Sequence, residues 1–326
     1  MASKLLYFAF VTVLAAGPAK KGTMHTPKFE DHFAEVNGIR LHYVSAGKGP
    51  LMLFLHGFPE FWYTWKNQLG EFGKDHMAVA PDMRGYNLSD KPEGVDAYRM
   101  DNLIEDVRAL AQHLAAGKKF VLVAHDWGGA VAWAYAIKYP QTLEKLVIVN
   151  APHPGVFFRL LQEDPEQQKA SQYMLMFRSP KAEEMLSANN YATLVNIVLA
   201  KGLETGAFTE EDKKAYLAAW SKPGALTGGL NYYRAAKIGP PPPPNKEDGQ
   251  VPIEAKSVAV DPGLMTVKVP TLVIWGEKDT ALLPSNLDGM DQFVPQLTIK
   301  RIPDGSHWVI QEKPAEVNGY IREFVH

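Results

Sequence analysis

Short apolar runs alternate with longer stretches of helical periodicity along most of the chain. The first two runs flank an Asn37-Gly38 pair, which favours a tight turn between antiparallel strands. Alternation of this kind is typical of a mostly parallel sheet covered by helices on both faces. We therefore predict an α/β fold with an eight-stranded, mostly parallel sheet. The strand candidates are Ala34–Val36, Arg40–Val44, Leu51–Leu55, Met77–Ala80, Phe120–Val123, Lys145–Val149, Thr271–Trp275 and Leu297–Arg301.

The strand pattern stops between residues 151 and 267. This stretch is rich in helical periodicity, aromatic residues and Met, and it contains no convincing strand candidate. We interpret it as a helical cap, or lid, inserted over the carboxyl edge of the sheet. Residues 24–150 and 268–326 then form the core domain.

The N-terminal segment, residues 1–23, needs a separate interpretation. Lys4 precedes an apolar stretch from Leu5 to Ala16, which has the outline of a secretory signal. Cleavage would make the protein secreted or periplasmic, whereas a true start at Met24 would leave it cytoplasmic. The apolar stretch is too short to cross a bilayer by itself, so we expect no stable membrane span.

The composition narrows the classes of partner and chemistry. Apolar content of 46% and charged content of 21% fit a globular protein. A net charge of -2 gives no reason to expect a nucleic acid partner. The absence of Cys excludes disulfides, thiolate metal sites and a Cys nucleophile.

The most informative segment is the fifth strand candidate and the residues that follow it. His125-Asp126-Trp127-Gly128-Gly129 connects this strand directly to a helix-forming stretch. The pattern is typical of a nucleophile elbow, a turn so sharp that small residues must flank it. Here the residue at the tip is Asp126 instead of the usual Ser. A carboxylate is ionised at neutral pH and attacks saturated carbon, so the leaving group is an epoxide oxygen or a halide.

A nucleophile of this kind needs an acid and a His later in the chain. Asp279 follows the seventh strand candidate in a Gly-led loop, and His307 lies in a loop after the last strand candidate. The order nucleophile, acid, His is that of a hydrolase with this topology. Glu277 competes for the acid role, but it lies earlier in its loop. The other site for an acid, after the sixth strand, holds Asn150, which cannot act as an anion.

The loop after the third strand candidate supplies an oxyanion donor and most of the candidate pocket residues. The backbone N–H groups of Phe58 and Trp127 form a candidate oxyanion hole. The Phe58-Pro59 bond is a candidate cis peptide. The candidate pocket residues are His56, Pro59, Trp62 and Trp308.

Five motifs together resemble the epoxide hydrolases of the α/β-hydrolase fold. The likeness runs from about residue 29 to the C-terminus. The motifs are His-Gly-Phe-Pro-Glu-x-Trp (56–62), Asp-Met-Arg-Gly-Tyr (82–86), His-Asp-Trp-Gly-Gly (125–129), Gly-Glu-Lys-Asp (276–279) and Gly-Ser-His-Trp (305–308).

This resemblance implies two tyrosines in the cap that bind and protonate the epoxide oxygen. Tyr173 matches the family pattern Tyr-x-x-x-Phe-Gln-x-Pro, although Arg178 stands where the family has Gln. Tyr233 matches the pattern Asn-Trp/Tyr-Tyr-Arg. The implied reaction is displacement by Asp126, giving an alkyl ester that water activated by His307 hydrolyses to a diol. Its reactants would be a hydrophobic epoxide and water, and it needs no metal or organic cofactor. We expect the protein to be a monomer or a homodimer.

Two other functions stay open at this point. A haloalkane dehalogenase would share Asp126 and His307, but Phe58 stands where halide-binding enzymes commonly carry Asn. A non-catalytic small-molecule receptor could use the same fold, although the intact nucleophile, acid and base argue against it.

Overall fold

One eight-stranded sheet organises the molecule. The structure, a computed structural model, describes residues 28–241 and 262–326, so the predicted leader at residues 1–23 lies outside the described residues. The strands are β1 (Glu30–Val36), β2 (Ile39–Ala46), β3 (Leu51–Leu55), β4 (Met77–Pro81), β5 (Phe120–His125), β6 (Leu143–Val149), β7 (Thr271–Gly276) and β8 (Leu297–Ile302).

The order of these strands in the sheet is β1-β2-β4-β3-β5-β6-β7-β8. The β1–β2 and β2–β4 pairs are antiparallel, and the remaining neighbours run parallel. The predicted fold, a mostly parallel sheet of eight strands, is therefore confirmed.

Strand β1 is longer than its apolar pattern indicated. The sequence predicted Ala34–Val36, whereas pairing with β2 begins at Glu30, opposite Ser45. The additional residues are largely solvent-exposed, so hydrophobicity does not mark them as a strand. Backbone hydrogen bonding to β2 extends the strand at the edge of the sheet.

Helices cover both faces of the sheet. Those outside the segment between β6 and β7 are α1 (Lys66–Phe72), α2 (Met100–Ala115), α3 (Asp126–Lys138), α11 (Val309–Glu312) and α12 (Pro314–Val325). Alternate residues of β5 serve the two faces: Leu122 packs in one hydrophobic core with α2 and α3, and Val123 in another with α1 and α12. The central parallel strands β3, β5 and β7 are thus buried on both sides, as their apolar runs require.

Between β6 and β7 the described residues form helices and no strand. They are α4 (Pro154–Glu163), α5 (Pro165–Ala170), α6 (Tyr173–Arg178), α7 (Ala182–Leu194), α8 (Ala200–Thr205), α9 (Glu210–Trp220) and α10 (Ala225–Ala236). We call residues 154–236 the helical region. The limits of the predicted cap, 151 and 267, stay a prediction.

Part of the helical region is irregular. Three consecutive residues within α7, Asn189, Asn190 and Tyr191, have left-handed backbone angles, with φ of 51°, 54° and 61°. A π-helical turn, Val195–Leu199, follows α7 directly. Among the residues that the structure describes, no helix has both the length and the apolar character needed to cross a bilayer.

Candidate active site

The turn between β5 and α3 has the geometry of a nucleophile elbow. Asp126 is the first residue of α3 and has φ of +50°, a left-handed conformation that is costly for a residue with a side chain. The next residues must be small. A Cβ on Gly128 would lie 2.4 Å from the Leu55 carbonyl oxygen, and a Cβ on Gly129 would lie 2.2 Å from Ala151 Cβ. The turn therefore displays the Asp126 carboxylate at the carboxyl edge of the sheet.

The two carboxylate oxygens of Asp126 have different environments. Oδ1 accepts a hydrogen bond of 2.8 Å from the backbone N–H of Phe58, and Oδ2 lies 3.6 Å from His307 Nε2. The Phe58-Pro59 peptide is cis, as the sequence predicts. The second predicted oxyanion donor, the N–H of Trp127, lies in the first turn of α3, where backbone N–H groups lack intrahelical acceptors.

Asp279 and His307 form a short hydrogen bond. His307 Nδ1 lies 2.7 Å from Asp279 Oδ2. The same oxygen accepts a bond of 2.9 Å from the Asn150 side-chain amide, while Oδ1 accepts bonds of 2.9 Å each from the N–H groups of Ala281 and Leu282. Three donors therefore hold one buried carboxylate against the imidazole.

Glu277, the competing acid, points elsewhere. Its Oε1 pairs with Arg301 Nη1 at 2.9 Å on the outside of the molecule. The structure therefore places Asp279, and not Glu277, beside His307. Asn150 also has a place in this arrangement, since it supports Asp279 through its amide.

The charges around His307 favour its protonated form. Burial lowers the pKa of the imidazole, but the charge and hydrogen bond of Asp279, together with the charge of Asp126, outweigh it and raise the pKa to about 9. Burial also opposes ionisation of Asp279, yet His307 and the hydrogen-bond donors hold the pKa of that carboxyl below its ordinary value. The resting site thus contains an imidazolium between two carboxylates.

A second buried carboxyl–imidazole pair lies behind His307, and sequence reasoning missed its acid, Glu60. His125 Nε2 is 2.9 Å from the His307 backbone oxygen, and His125 Nδ1 is 3.1 Å from Glu60 Oε2. Both ring nitrogens therefore face acceptors. The other oxygen of Glu60 accepts bonds from Thr64 and Gln311, each 2.6 Å long. This pair fixes the backbone of the loop that carries His307.

The ionisation of Glu60 fits this pairing. Burial opposes the charge, but the hydrogen bonds from His125 and Thr64 lower the pKa of Glu60 below its ordinary value. The only sequence signal was the position of Glu60 within the His-Gly-Phe-Pro-Glu motif, and an acid after Pro is also typical of a surface loop.

Two tyrosines of the helical region lie above Asp126. Tyr173 begins α6, Tyr233 lies in the last turn of α10, and their ring centroids are 6.4 Å apart. Phe177 contacts both rings, at 5.3 and 5.1 Å, and Trp127 packs edge-to-face on Tyr233 at 4.9 Å. Burial, and then the negative charge of Asp126, raise the pKa of both phenols well above its ordinary value. Both are protonated donors at neutral pH.

Two cavities meet at Asp126, Tyr173 and Tyr233. The smaller has a volume of about 240 Å³ and includes Pro59 and Trp308, two of the predicted pocket residues. The larger has a volume of about 420 Å³ and follows one face of α3 as far as Lys138. The remaining walls of the larger cavity are mainly apolar, including Met100, Ile104, Ala130, Ala134, Ile137, Phe157, Met174 and Leu282.

The other two predicted pocket residues line neither cavity. His56 is fully buried beneath the loop, with Nδ1 on the Gly57 oxygen at 2.9 Å and Nε2 accepting from the Met83 N–H at 3.0 Å. Trp62 packs against the rings of Phe29 and Tyr63. Their prediction as pocket residues does not match these positions; Phe58 and Pro59 line the smaller cavity instead.

The described part of the chain contains no group of three or more His, Asp or Glu side chains arranged to hold a metal ion.

Comparison with known proteins decides the family. The chain matches the alpha/beta hydrolase fold family over residues 50–314. It is 40% identical over 299 residues to the AB hydrolase superfamily protein YfhM of Bacillus subtilis, covering 90% of this chain and 96% of that protein. Epoxide hydrolase 1 of Caenorhabditis elegans is 39% identical over 306 residues, covering 91% of this chain and 70% of that protein. The chain belongs to the epoxide hydrolases of the α/β-hydrolase fold.

Solved structures of epoxide hydrolases agree with this assignment. A variant of an epoxide hydrolase from Bacillus megaterium, complexed with its product, a naphthyloxy-propanediol, superposes with a TM-score of 0.79 at 35% identity. The match covers 90% of this chain and 99% of that one. The resemblance to epoxide hydrolases inferred from the five motifs is therefore confirmed, and the protein is a hydrolase.

Proposed function

We propose that this epoxide hydrolase converts hydrophobic epoxides to vicinal diols through a covalent ester on Asp126. One arrangement carries the proposal: the Asp126 carboxylate lies where the two cavities meet, below two protonated phenols and 3.6 Å from His307. A carboxylate nucleophile, proton donors for the leaving oxygen and a base for water are the groups that this reaction requires.

In the first step Asp126 Oδ2 attacks one epoxide carbon, and the bond from that carbon to the ring oxygen breaks. Oδ2 is the attacking atom because the Phe58 N–H already holds Oδ1. Tyr173 and Tyr233 donate hydrogen bonds to the ring oxygen, and one of them gives it a proton as the alkoxide forms. A phenol suits this role because it stays protonated in the resting site and still donates to a much more basic alkoxide.

In the second step water hydrolyses the ester. Esterification removes the negative charge of Asp126, which is one of the causes that raise the pKa of His307. The imidazolium can then return a proton, through water, to the tyrosinate left by the first step. The neutral imidazole accepts a proton from water, while the hydroxide adds to Cγ of Asp126. Oδ1 becomes the oxyanion, held by the N–H groups of Phe58 and Trp127. The bond from Cγ to the alkyl oxygen breaks, His307 gives that oxygen the proton it took from water, and the diol leaves. The new carboxyl group of Asp126 then loses its proton to His307, which restores the resting site.

The cavity walls support an apolar substrate. The larger cavity is lined mostly by aliphatic and aromatic side chains, which favour a hydrophobic aryl or alkyl substituent. The naphthyloxy-propanediol product of the Bacillus megaterium relative belongs to the same chemical class.

The dehalogenase alternative has less support. Halide release needs N–H donors aimed at a halide, whereas the groups opposite Asp126 are the hydroxyl-bearing rings of Tyr173 and Tyr233. Both rings line both cavities.

Trapping the ester tests the proposal. A His307→Gln variant incubated with styrene oxide should accumulate a substrate-sized mass increase on the peptide containing Asp126, because ring opening proceeds without the base. An Asp126→Asn variant should show neither the adduct nor diol formation. Wild-type enzyme in a single turnover in heavy-oxygen water should give diol whose new oxygen is unlabelled. Diol formation by the His307→Gln variant without any adduct would overturn the covalent mechanism.

A further inference from the structure

The two helices that carry the tyrosines are connected by a reciprocal pair of arginine contacts. Arg178, the last residue of α6, donates from Nη1 to the backbone oxygen of Lys237 at 3.2 Å. Lys237 is the residue that ends α10. Arg234, in the last turn of α10, donates from Nη2 to the backbone oxygen of Ser179 at 3.1 Å. Ser179 is the residue that ends α6.

Each arginine therefore caps the carboxyl end of the other helix. The last carbonyl groups of a helix lack intrahelical donors and carry partial negative charge, so a guanidinium is a favourable partner there. We call Arg178 and Arg234 the arginine clamp.

The two helices depend on this clamp to different degrees. Helix α10 is anchored to the core, since the Tyr232 hydroxyl donates to the Arg84 backbone oxygen at 2.9 Å. A Cβ on Gly228 of α10 would also lie only 2.3 Å from the Gly85 oxygen. Helix α6 has only six residues, too few to be stable through its own hydrogen bonds. Its position must come from contacts with its neighbours.

The clamp acts on the side of α6 opposite to the substrate. On the inner side, Phe177 packs between the rings of Tyr173 and Tyr233. On the outer side, Arg234 is itself held by two bonds of 2.7 Å to the carboxylate of Glu183 at the start of α7. The guanidinium therefore presents the second N–H of Nη2 toward Ser179 in one orientation.

We propose that Arg178 and Arg234 are positioning residues that set the spacing of Tyr173 and Tyr233 for ring opening. This inference rests on the proposed function, in which the two phenols protonate the epoxide oxygen. Arg178 is also where the sequence departs from the Gln of the family pattern. The departure replaces a short neutral side chain with a long cationic one that reaches the end of α10.

Single-turnover kinetics separate this role from general stabilisation. Arg178→Gln and Arg234→Gln, singly and together, should be compared with wild type for the rate of ester formation and the rate of ester hydrolysis. The double variant should form the ester at least about 10-fold more slowly, since displacement of a reacting group by about 1 Å can cost 100-fold. Ester hydrolysis, which uses His307 and Asp279, should change less than about 2-fold.

Arg159→Gln is the matched control. Arg159 also belongs to the helical region and donates to a backbone oxygen, that of Asp288, at 2.8 Å, but it does not contact α6 or α10. Both rates should stay at the wild-type value. Thermal midpoints of all variants show whether each is folded.

The same clamp substitutions in an enzyme that lacks both phenols complete the test. In a Tyr173→Phe/Tyr233→Phe enzyme the clamp substitutions should no longer slow ester formation further. Equal slowing of both steps by the clamp substitutions would overturn the proposed role of the arginine clamp. The same slowing of ester formation with and without the phenols would also overturn it. If Tyr173→Phe and Tyr233→Phe themselves leave ester formation unchanged, the proposed function fails instead. The two failures are thus distinguishable.

Discussion

The carboxyl edge of the sheet and the helical region above it hold their functional groups in different ways. At the edge, a backbone N–H of a neighbouring loop holds Asp126, and two backbone N–H groups of its own loop hold Asp279. In the helical region, Tyr173 and Tyr233 depend on packed rings and on side chains that reach between short helices. The edge has isolated left-handed residues, Asp126 and Asn150, whereas α7 contains three left-handed residues in succession.

Because of this difference, the two steps of the reaction depend on different parts of the molecule. Ester hydrolysis uses groups whose geometry the backbone of the core determines, and ring opening additionally needs groups whose geometry depends on side-chain contacts. Substitutions in the two regions should therefore slow different steps.

The largest expected effect is that of Asp279→Asn. The side-chain oxygen of Asn would accept from the N–H groups of Ala281 and Leu282, which turns its NH₂ group toward His307. The imidazole would then have to accept at Nδ1 and carry its proton on Nε2, the wrong tautomer for taking a proton from water. Ester hydrolysis should fall on the order of 10⁴-fold, as for comparable acids in other triads.

Rapid-quench kinetics with mass spectrometry would check this outcome. The ester should form at a near-normal rate and accumulate, because Asp126 and the phenols are unchanged. Loss of ester formation would contradict the division between the two steps.

Tyr173→Phe/Tyr233→Phe should give the opposite result. Without proton donors the epoxide oxygen must leave as a bare alkoxide, so ester formation should fall by about 10³-fold, within the range for general acids. Pre-steady-state ester formation is the measurement, and the hydrolysis of ester already formed should change little. A parallel fall in both rates would mean that the phenols also determine the geometry at the edge.

Gly57→Ala tests how closely the core approaches the nucleophile. A Cβ at this position would lie 2.2 Å from Asp126 Oδ1 and would disturb its bond to the Phe58 N–H. Turnover should fall by about 10²-fold, in line with misplacement of a reacting group. Both steps should be affected, since Oδ1 is the proposed oxyanion.

Gly70→Ala is the control for that substitution. Gly70 lies within α1, and a Cβ there would meet no heavy atom within 4 Å. Activity should be unchanged, and urea unfolding should show a gain of roughly 0.5–1 kcal/mol from helix propensity. Loss of activity in both variants would contradict a local effect at Asp126.

The smallest effect is on stability at alkaline pH. Because the folded protein holds the pKa of His307 at about 9, above its ordinary value of 6.5, the group stabilises the fold fully below pH 6.5. That contribution, at most about 3 kcal/mol, should be lost as the pH rises through 9. Urea unfolding at pH 6, 7.5 and 9 would measure it, and the decline should be weaker in Asp279→Asn.

The apolar pattern was enough to locate the eight strands, because strands buried on both faces must be apolar throughout. It missed the first half of β1, whose side chains are exposed. The elbow could also be predicted, since only small residues fit between α3, β3 and the end of β6. Asp279 and His307 could be predicted because they follow Asp126 in the order nucleophile, acid, His, which is the order of hydrolases with this sheet topology. The structure places the two side chains in contact.

Other parts of the site depend on contacts that one sequence does not show. Glu60 pairs with His125 across 65 residues, and no local pattern marks a buried acid in a loop. The arginine clamp joins positions more than 50 residues apart. His56 and Trp62 lie within the same motif as Pro59, yet His56 is fully buried and Trp62 packs, half-buried, against Phe29 and Tyr63. Local pattern therefore identified which residues react but not which residues hold them.

The inequality of the two cavities has a stereochemical consequence. A cavity of about 420 Å³ and one of about 240 Å³ meet at the same carboxylate. An epoxide with one bulky and one compact substituent fits in a single orientation, with the bulky group along α3. The mirror-image epoxide, bound that way, offers a different face and a different carbon to Oδ2. We therefore predict that the enzyme discriminates between enantiomers through the different volumes of the two cavities.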